Sequence, residues 1–252
     1  MGWIRFPADD AIAAWVKSVA VPARTAADHP ENAHWWRHGR TWFVGVDALG
    51  NDATGSVNGG PPLAGRAVDF IRNTLGLANI ASHRGQVSIC TPGYPKRDPG
   101  ESEQAHRYRM KRAAAHVDGL HGEGPHRRRH LRELHDFILG IPIDDIDTGA
   151  SPFVIWEGSH HIMKRQLREN YGSIAPERWG DIDITETYHA ARQRVFETCR
   201  RTDVTARSGE CYLVHRFALH GVAPWQESKL ASRTVVYFRP CQLAPEIWLR
   251  GD

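Results

Sequence analysis

From residue 86 onward the chain breaks into short apolar runs separated by turn residues, and this pattern constrains the fold more than any other feature. Residues 86–91, 137–143, 152–156, 204–206, 211–215 and 234–238 each have strand length and strand composition. The acidic turn Asp144-Asp145-Ile146-Asp147-Thr148-Gly149 divides the second run from the third and gives a strand–turn–strand reading; Ser208-Gly209-Glu210 punctuates the later ones. Clustered short strands of this kind predict a barrel or a double-sheet jelly roll. The first third reads differently. Residues 9–20 carry Ile12, Trp15, Val16 and Val19 at helical spacing, and residues 63–75 carry Val68, Ile71 and Leu75 on one face. A strand is expected over 41–46, an irregular segment over 25–40 and a helix over 184–199. The expectation is a mainly β fold with added α structure. Residues 1–252 form one domain, in which 1–80 make a helical and irregular N-terminal layer and 86–240 make the jelly-roll core.

Composition excludes several function classes. A chain of 252 residues with 41% hydrophobic and 24% charged residues can bury a large core, which argues against disorder. A net charge of +3 is too weak to point to nucleic acid. The four cysteines, Cys90, Cys199, Cys211 and Cys241, lie far apart with no Cys-x-x-Cys pair, which disfavours a thiolate zinc site and a disulfide framework. The start, Met1-Gly2-Trp3-Ile4-Arg5, reads as lacking a signal peptide, and no run approaches membrane-spanning length. The expected compartment is therefore the cytoplasm, with no membrane partner. Neither a dinucleotide glycine loop, nor a Walker loop, nor a nucleophile elbow occurs. Histidine is the outlier at 15 residues, and imidazole is the commonest side-chain metal ligand.

Among these histidines, His116-Val117-Asp118 stands out, followed downstream by His220 and Arg233. Two imidazoles and one carboxylate suit a mononuclear iron(II) site with open positions. Residues i and i+2 share a face only in an extended segment. Residues 109–115 favour a helix that Gly119 would end, so the reading requires tertiary context to override local propensity. The tripeptide alone does not decide the matter, since His29-Pro30-Glu31 has the same pattern. His215 is an alternative third ligand, but the setting Leu219-His220-Gly221 favours His220.

Taken in order, His116-Val117-Asp118-Gly119, Trp156-Glu157-Gly158-Ser159-His160, Gly209-Glu210, Leu219-His220-Gly221 and Ser232-Arg233 resemble the phytanoyl-CoA dioxygenase family over roughly residues 86–240. That resemblance implies a double-stranded β-helix, Fe(II) and 2-oxoglutarate as cofactors, dioxygen as co-substrate and a small organic molecule as substrate. It implies His116, Asp118 and His220 as catalytic metal ligands and Arg233 as the partner of the far carboxylate of 2-oxoglutarate, which a guanidinium fork suits. Trp156 is expected beside the co-substrate, with His121 and Arg239 toward the substrate. Related halogenases replace the ligand carboxylate with a small residue; retention of Asp118 favours hydroxylation, desaturation or ring closure. The alternatives are a cupin-like metal-dependent isomerase or hydrolase that does not use 2-oxoglutarate, and a binding module that has lost the metal. Outside these positions, Arg127-Arg128-Arg129-His130 reads as a solvated face or an anion contact. His34-Trp35-Trp36-Arg37 reads as packing rather than as a cap on the pocket mouth, and Ser159-His160-His161 as loop-shaping.

Overall fold

The computed structural model describes residues 1–251. Its main sheet has seven antiparallel strands, three of them from the N-terminal segment: β1 (Trp3–Phe6), β2 (Trp36–Arg37) and β3 (Trp42–Gly45). The others are β4 (Gln86–Cys90), β7 (Phe137–Pro142), β10 (Cys211–His215) and β12 (Arg233–Phe238), and the spatial order is β1-β10-β7-β12-β4-β3-β2. A smaller sheet runs β11 (His220–Val222), β8 (Phe153–Trp156), β9 (Arg201–Val204), and β5 (Leu120–Glu123) pairs with β6 (Arg128–Leu131) as a hairpin. The jelly-roll expectation therefore holds. The runs at 137–143 and 152–156 both become strands but do not pair with each other: β7 lies in the large sheet and β8 in the small one. The acidic turn between them carries the chain from one sheet to the other, so it is a crossover and not a hairpin. The N-terminal layer is likewise more than helical, because β1 and β3 extend the large sheet at opposite ends.

Strand periodicity sorts the core into layers. Along β12, Val236 and Phe238 join a cluster with Ile12, Trp15, Val19, Val68 and Ile71. These last come from α1 (Asp10–Thr25) and α2 (Arg66–Asn73), which cover the outer face of the large sheet. The alternate residues Val235 and Tyr237 face inward and pack between the sheets with Ile138, Phe153, Ile155, Tyr212 and Val214. Beyond the small sheet, Val154 and Trp156 pack with Met163 and Leu167 of α4 (Ser159–Tyr171) and with Tyr188 and Val195 of α5 (Thr185–Thr198). With both faces of β7, β8 and β12 covered, every residue in these strands is buried, which explains why β7 and β8 are apolar throughout and β12 is apolar after its first two residues. Gly140 makes one close approach possible, since a Cβ there would lie 2.4 Å from the Tyr212 ring. Asp9 caps α1 by accepting from the Ile12 N–H at 3.0 Å. The Ser159-His160-His161 segment begins α4 rather than shaping a loop. Among the described residues, no helix is long and apolar enough to cross a membrane.

Candidate metal centre

The chain before His116 does form a helix, α3 (Glu103–Arg112), but it stops four residues short of the histidine. Ala113 and Ala114 both take left-handed backbone conformations, φ 50° and 51°, and turn the chain into an extended run. A left-handed alanine is unfavourable by about 1 kcal/mol, so surrounding contacts must hold it. One such contact is at Gly221, where a Cβ would stand 2.1 Å from the Ala113 carbonyl oxygen. His116 then pairs with His220 as an antiparallel bridge, its N–H donating to the His220 carbonyl at 2.8 Å and the reverse bond measuring 3.0 Å. The segment thus docks on the edge of β11. Gly119 does not end a helix. At φ +82° it lets the chain pass so close to Glu133 that a Cβ would lie 2.1 Å from that carbonyl oxygen.

This extended run brings His116 and Asp118 together with His220, so that one ligand atom from each lies within 4.8 Å of the others. Asp118 Oδ1 is 3.3 Å from His116 Nε2 and 3.4 Å from His220 Nε2. The opposite ring nitrogens are engaged elsewhere: His116 Nδ1 donates to the Ala114 carbonyl at 3.0 Å and His220 Nδ1 to the Ala218 carbonyl at 2.9 Å. Those bonds fix the tautomer and aim both Nε2 lone pairs at the same point as Oδ1. Phe153 stacks on His220 with centroids 5.2 Å apart and fixes its ring plane. Burial opposes the charge on Asp118, but Arg239, and after it His220, hold the carboxyl well below the usual carboxylate range. The result is a carboxylate oxygen and two imidazole Nε2 atoms facing a shared point, a donor set that fits a divalent metal with open positions.

A cavity of about 640 Å³ opens onto this point. Its walls include the aromatic side chains of Trp42, Tyr94 and Phe153 and the polar ones of His121, Glu133, His135 and Arg239. Arg239 lines the cavity and is also tied to its wall. Its Nη1 lies 3.2 Å from Asp118 Oδ2, and its Nη2 bonds Gln86 Oε1. His121 does line the cavity, half exposed, with Nε2 at 3.6 Å from Glu133 Oε1. Trp156 does not. It points away from the cavity into the α4–α5 core and meets Phe196 edge-on at 5.3 Å, because neighbours on β8 face opposite sides and Phe153 and Ile155 take the inner one. His215, the alternative ligand, packs against His160 at 4.9 Å and is not in the metal cluster. His29, of the second His-x-acid match, lies 3.9 Å from Glu31 on the surface. Of the tryptophan-rich segment, Trp35 lines the cavity while Trp36 packs on Phe43.

Arg233 is fully buried at the start of β12. Its Nη1 donates to Ser88 Oγ at 3.0 Å and its Nη2 to the Tyr237 hydroxyl at 2.9 Å, and both of these partners line the cavity. Its buried Nε has no partner. Among the described residues, no carboxylate pairs with Arg233. A permanently charged guanidinium in the core with only neutral partners is costly and calls for an anion. Two contributors were not legible in the sequence: Ser88, in an apolar strand, and the His135–Glu133 pair, joined at 2.6 Å.

No protein-family model and no curated protein matches the sequence. Solved structures do match. The non-heme α-ketoglutarate-dependent carbocyclase SnoK from nogalamycin biosynthesis superposes with a TM-score of 0.51 at 12% identity, over 94% of this chain and 80% of that one. The non-heme α-ketoglutarate-dependent epimerase SnoN from the same biosynthesis gives 0.47 at 15% identity, over 99% and 83%. HygX from Streptomyces hygroscopicus, with nickel and 2-oxoglutarate bound, gives 0.41 at 14% identity, over 95% and 83%. At such identities the likeness to SnoK establishes the fold.

Proposed function

We propose that this chain is an iron(II)- and 2-oxoglutarate-dependent oxygenase that hydroxylates a C–H bond of a small organic molecule. The observation that carries the reading is the pairing of two incomplete features at one cavity: among the described residues, a two-histidine, one-carboxylate cluster has no fourth ligand, and a buried arginine behind the cavity wall has no acid. His116, Asp118 and His220 hold the metal, and Arg233, with Ser88 and Tyr237, receives the far carboxylate of 2-oxoglutarate. Iron with 2-oxoglutarate and dioxygen supplies the oxidising power for C–H hydroxylation, the oxo acid being decarboxylated to succinate. The protein's part is placement and exclusion of water. Carbonyl bonds to both Nδ1 atoms keep the ligands oriented. Arg239 engages Asp118 Oδ2 and leaves Oδ1 toward the metal. The aromatic wall of Trp42, Tyr94 and Phe153 keeps the substrate side dry. Because Asp118 is a carboxylate, no ligand position is left open for a halide in its place, and hydroxylation is favoured over halogenation.

The test is anaerobic addition of 2-oxoglutarate to the Fe(II)-loaded protein. A weak metal-to-ligand charge-transfer band in the visible is expected. Iron binding without that band would refute the use of 2-oxoglutarate and leave a metal-dependent isomerase or hydrolase, in which Arg233 has no role.

A further inference from the structure

A second concavity, of about 410 Å³, lies outside the metal cavity, between α3 and α5. Arg112 and Arg192 line it together with Tyr108, His189 and Phe196. Both guanidiniums lie over rings. Arg112 sits 4.5 Å from the Phe196 centroid, and Arg192 sits 4.7 Å from Tyr108 and 5.4 Å from Tyr188. Aromatic backing of this kind holds an arginine in one orientation and leaves its N–H edge available. Among the described residues, neither has a carboxylate partner. A third arginine lies outside the lining: the Arg129 guanidinium turns toward the β5–β6 hairpin, where its Nη1 makes a long 3.4 Å contact with the Leu120 carbonyl and its buried Nε has no partner. The nearby acids are already engaged, Glu186 by Arg128 at 2.9 Å and Asp183 by Arg128 and Thr185.

Two guanidiniums therefore line one pocket, and among the described residues neither has a carboxylate partner. From this arrangement we infer that the pocket between α3 and α5 is a binding site for a phosphate-class dianion. Planar N–H forks match phosphate oxygens, and two or more of them suit a dianion better than a single carboxylate. The Arg127–Arg129 run thus divides its work: Arg128 is the solvated ion-paired residue and Arg129 the inward one. The place is also significant. The Tyr108 hydroxyl donates to the Ala115 carbonyl at 2.8 Å. Ala115 directly precedes His116. The anion would sit beside a ring that holds the back of the His116–Asp118 segment. This inference does not depend on the oxygenase reading, since it concerns a separate pocket.

Isothermal titration of the intact protein with inorganic phosphate tests it, against sodium chloride of matched ionic strength. A saturable one-to-one isotherm is expected with phosphate and none with chloride. Arg112→Gln and Arg192→Gln should each weaken binding by about tenfold, and the double variant should abolish it. A phosphate monoester such as glycerol phosphate forms the second arm. Tighter binding than inorganic phosphate points to a phosphorylated organic molecule, and equal binding to free phosphate. Absence of a saturable isotherm, or an affinity unchanged in a double variant that still binds metal, would overturn the inference.

Discussion

The two ends of β12 carry the same side chain in opposite circumstances. Arg233 opens β12 and Arg239 follows its last residue, six positions on, and both turn toward the inside of the jelly roll: Arg233 bonds the inward Tyr237 hydroxyl, and Arg239 lines the cavity. Arg239, at the cavity wall, has an acid within reach in Asp118 at 3.2 Å. Arg233, fully buried, has two hydroxyls and no acid. A strand's alternation decides which way a side chain points but not what it meets. One arginine completes a charge pair with the carboxylate of the His-Asp-His cluster, and the other leaves a charge to be completed by something that arrives.

The comparison can be broken at several points. The largest effect is expected at the acid that distinguishes the two ends. Asp118→Ala removes a metal ligand and leaves Arg239 unpaired, so metal binding measured by equilibrium dialysis should fall below detection. Retained stoichiometric binding would remove Asp118 from the centre. Next, Arg233→Met should weaken 2-oxoglutarate binding by on the order of a hundredfold while the ligand-free protein melts no lower than wild type, because an unpaired buried cation is replaced by an apolar chain of similar length. A large loss of stability with unchanged 2-oxoglutarate affinity would make Arg233 a structural cation.

A smaller effect concerns what steadies the other end. His135 Nδ1 contacts the Arg239 carbonyl at 2.9 Å, and its Nε2 meets Glu133 Oε2. Burial acts to lower the His135 pKa, but contacts with Cys241 and Glu133 outweigh it and raise the value to about 10, while the Glu133 carboxyl is lowered, chiefly by its bond from His135. A raised histidine value adds stability that is complete below the ordinary value near 6.5 and is lost as pH climbs toward 10. His135→Gln should therefore cost about 2 kcal/mol at pH 6 in denaturant unfolding. That difference should shrink as pH approaches 10, and a pH-independent difference would contradict the pairing. The smallest effect belongs to Arg239 itself. Arg239→Gln keeps a donor toward Asp118 but removes the charge, and metal affinity should fall by about tenfold, as for other groups that orient a ligand from behind. If Arg239→Gln instead changed 2-oxoglutarate affinity as strongly as Arg233→Met, the two ends of β12 would be doing the same job.

Much of the architecture was legible because strand length and turn residues are local signals. The runs at 86–91, 211–215 and 234–238 became β4, β10 and β12 nearly to the residue. The site was legible in part. The family-like order of short pieces pointed to His116, Asp118, His220 and Arg233, and the fold brings the first three to one point and the fourth behind the same cavity. Trp156 was misplaced toward the co-substrate because sequence order does not reveal which face of β8 looks inward. The contact of Arg239 with Asp118 was not legible, because nothing local shows that they are neighbours across more than a hundred residues. The hairpin of β5 and β6 and the helix α4 lay in polar or mixed stretches with little periodic signal.

The sequence by itself determined the strand-rich class and the donor chemistry of two imidazoles and a carboxylate, and its family resemblance pointed to Arg233. Only the tertiary structure decided that residues 116–118 are extended. Their helical neighbours end at two left-handed alanines, and that conformation is held by the approach of Ala113 to Gly221 and by the bridge from His116 to His220. The physical reason is that propensity is a sum of small local terms, each well under 1 kcal/mol per residue, whereas docking on a sheet edge adds paired backbone hydrogen bonds and buried contacts that no local window contains.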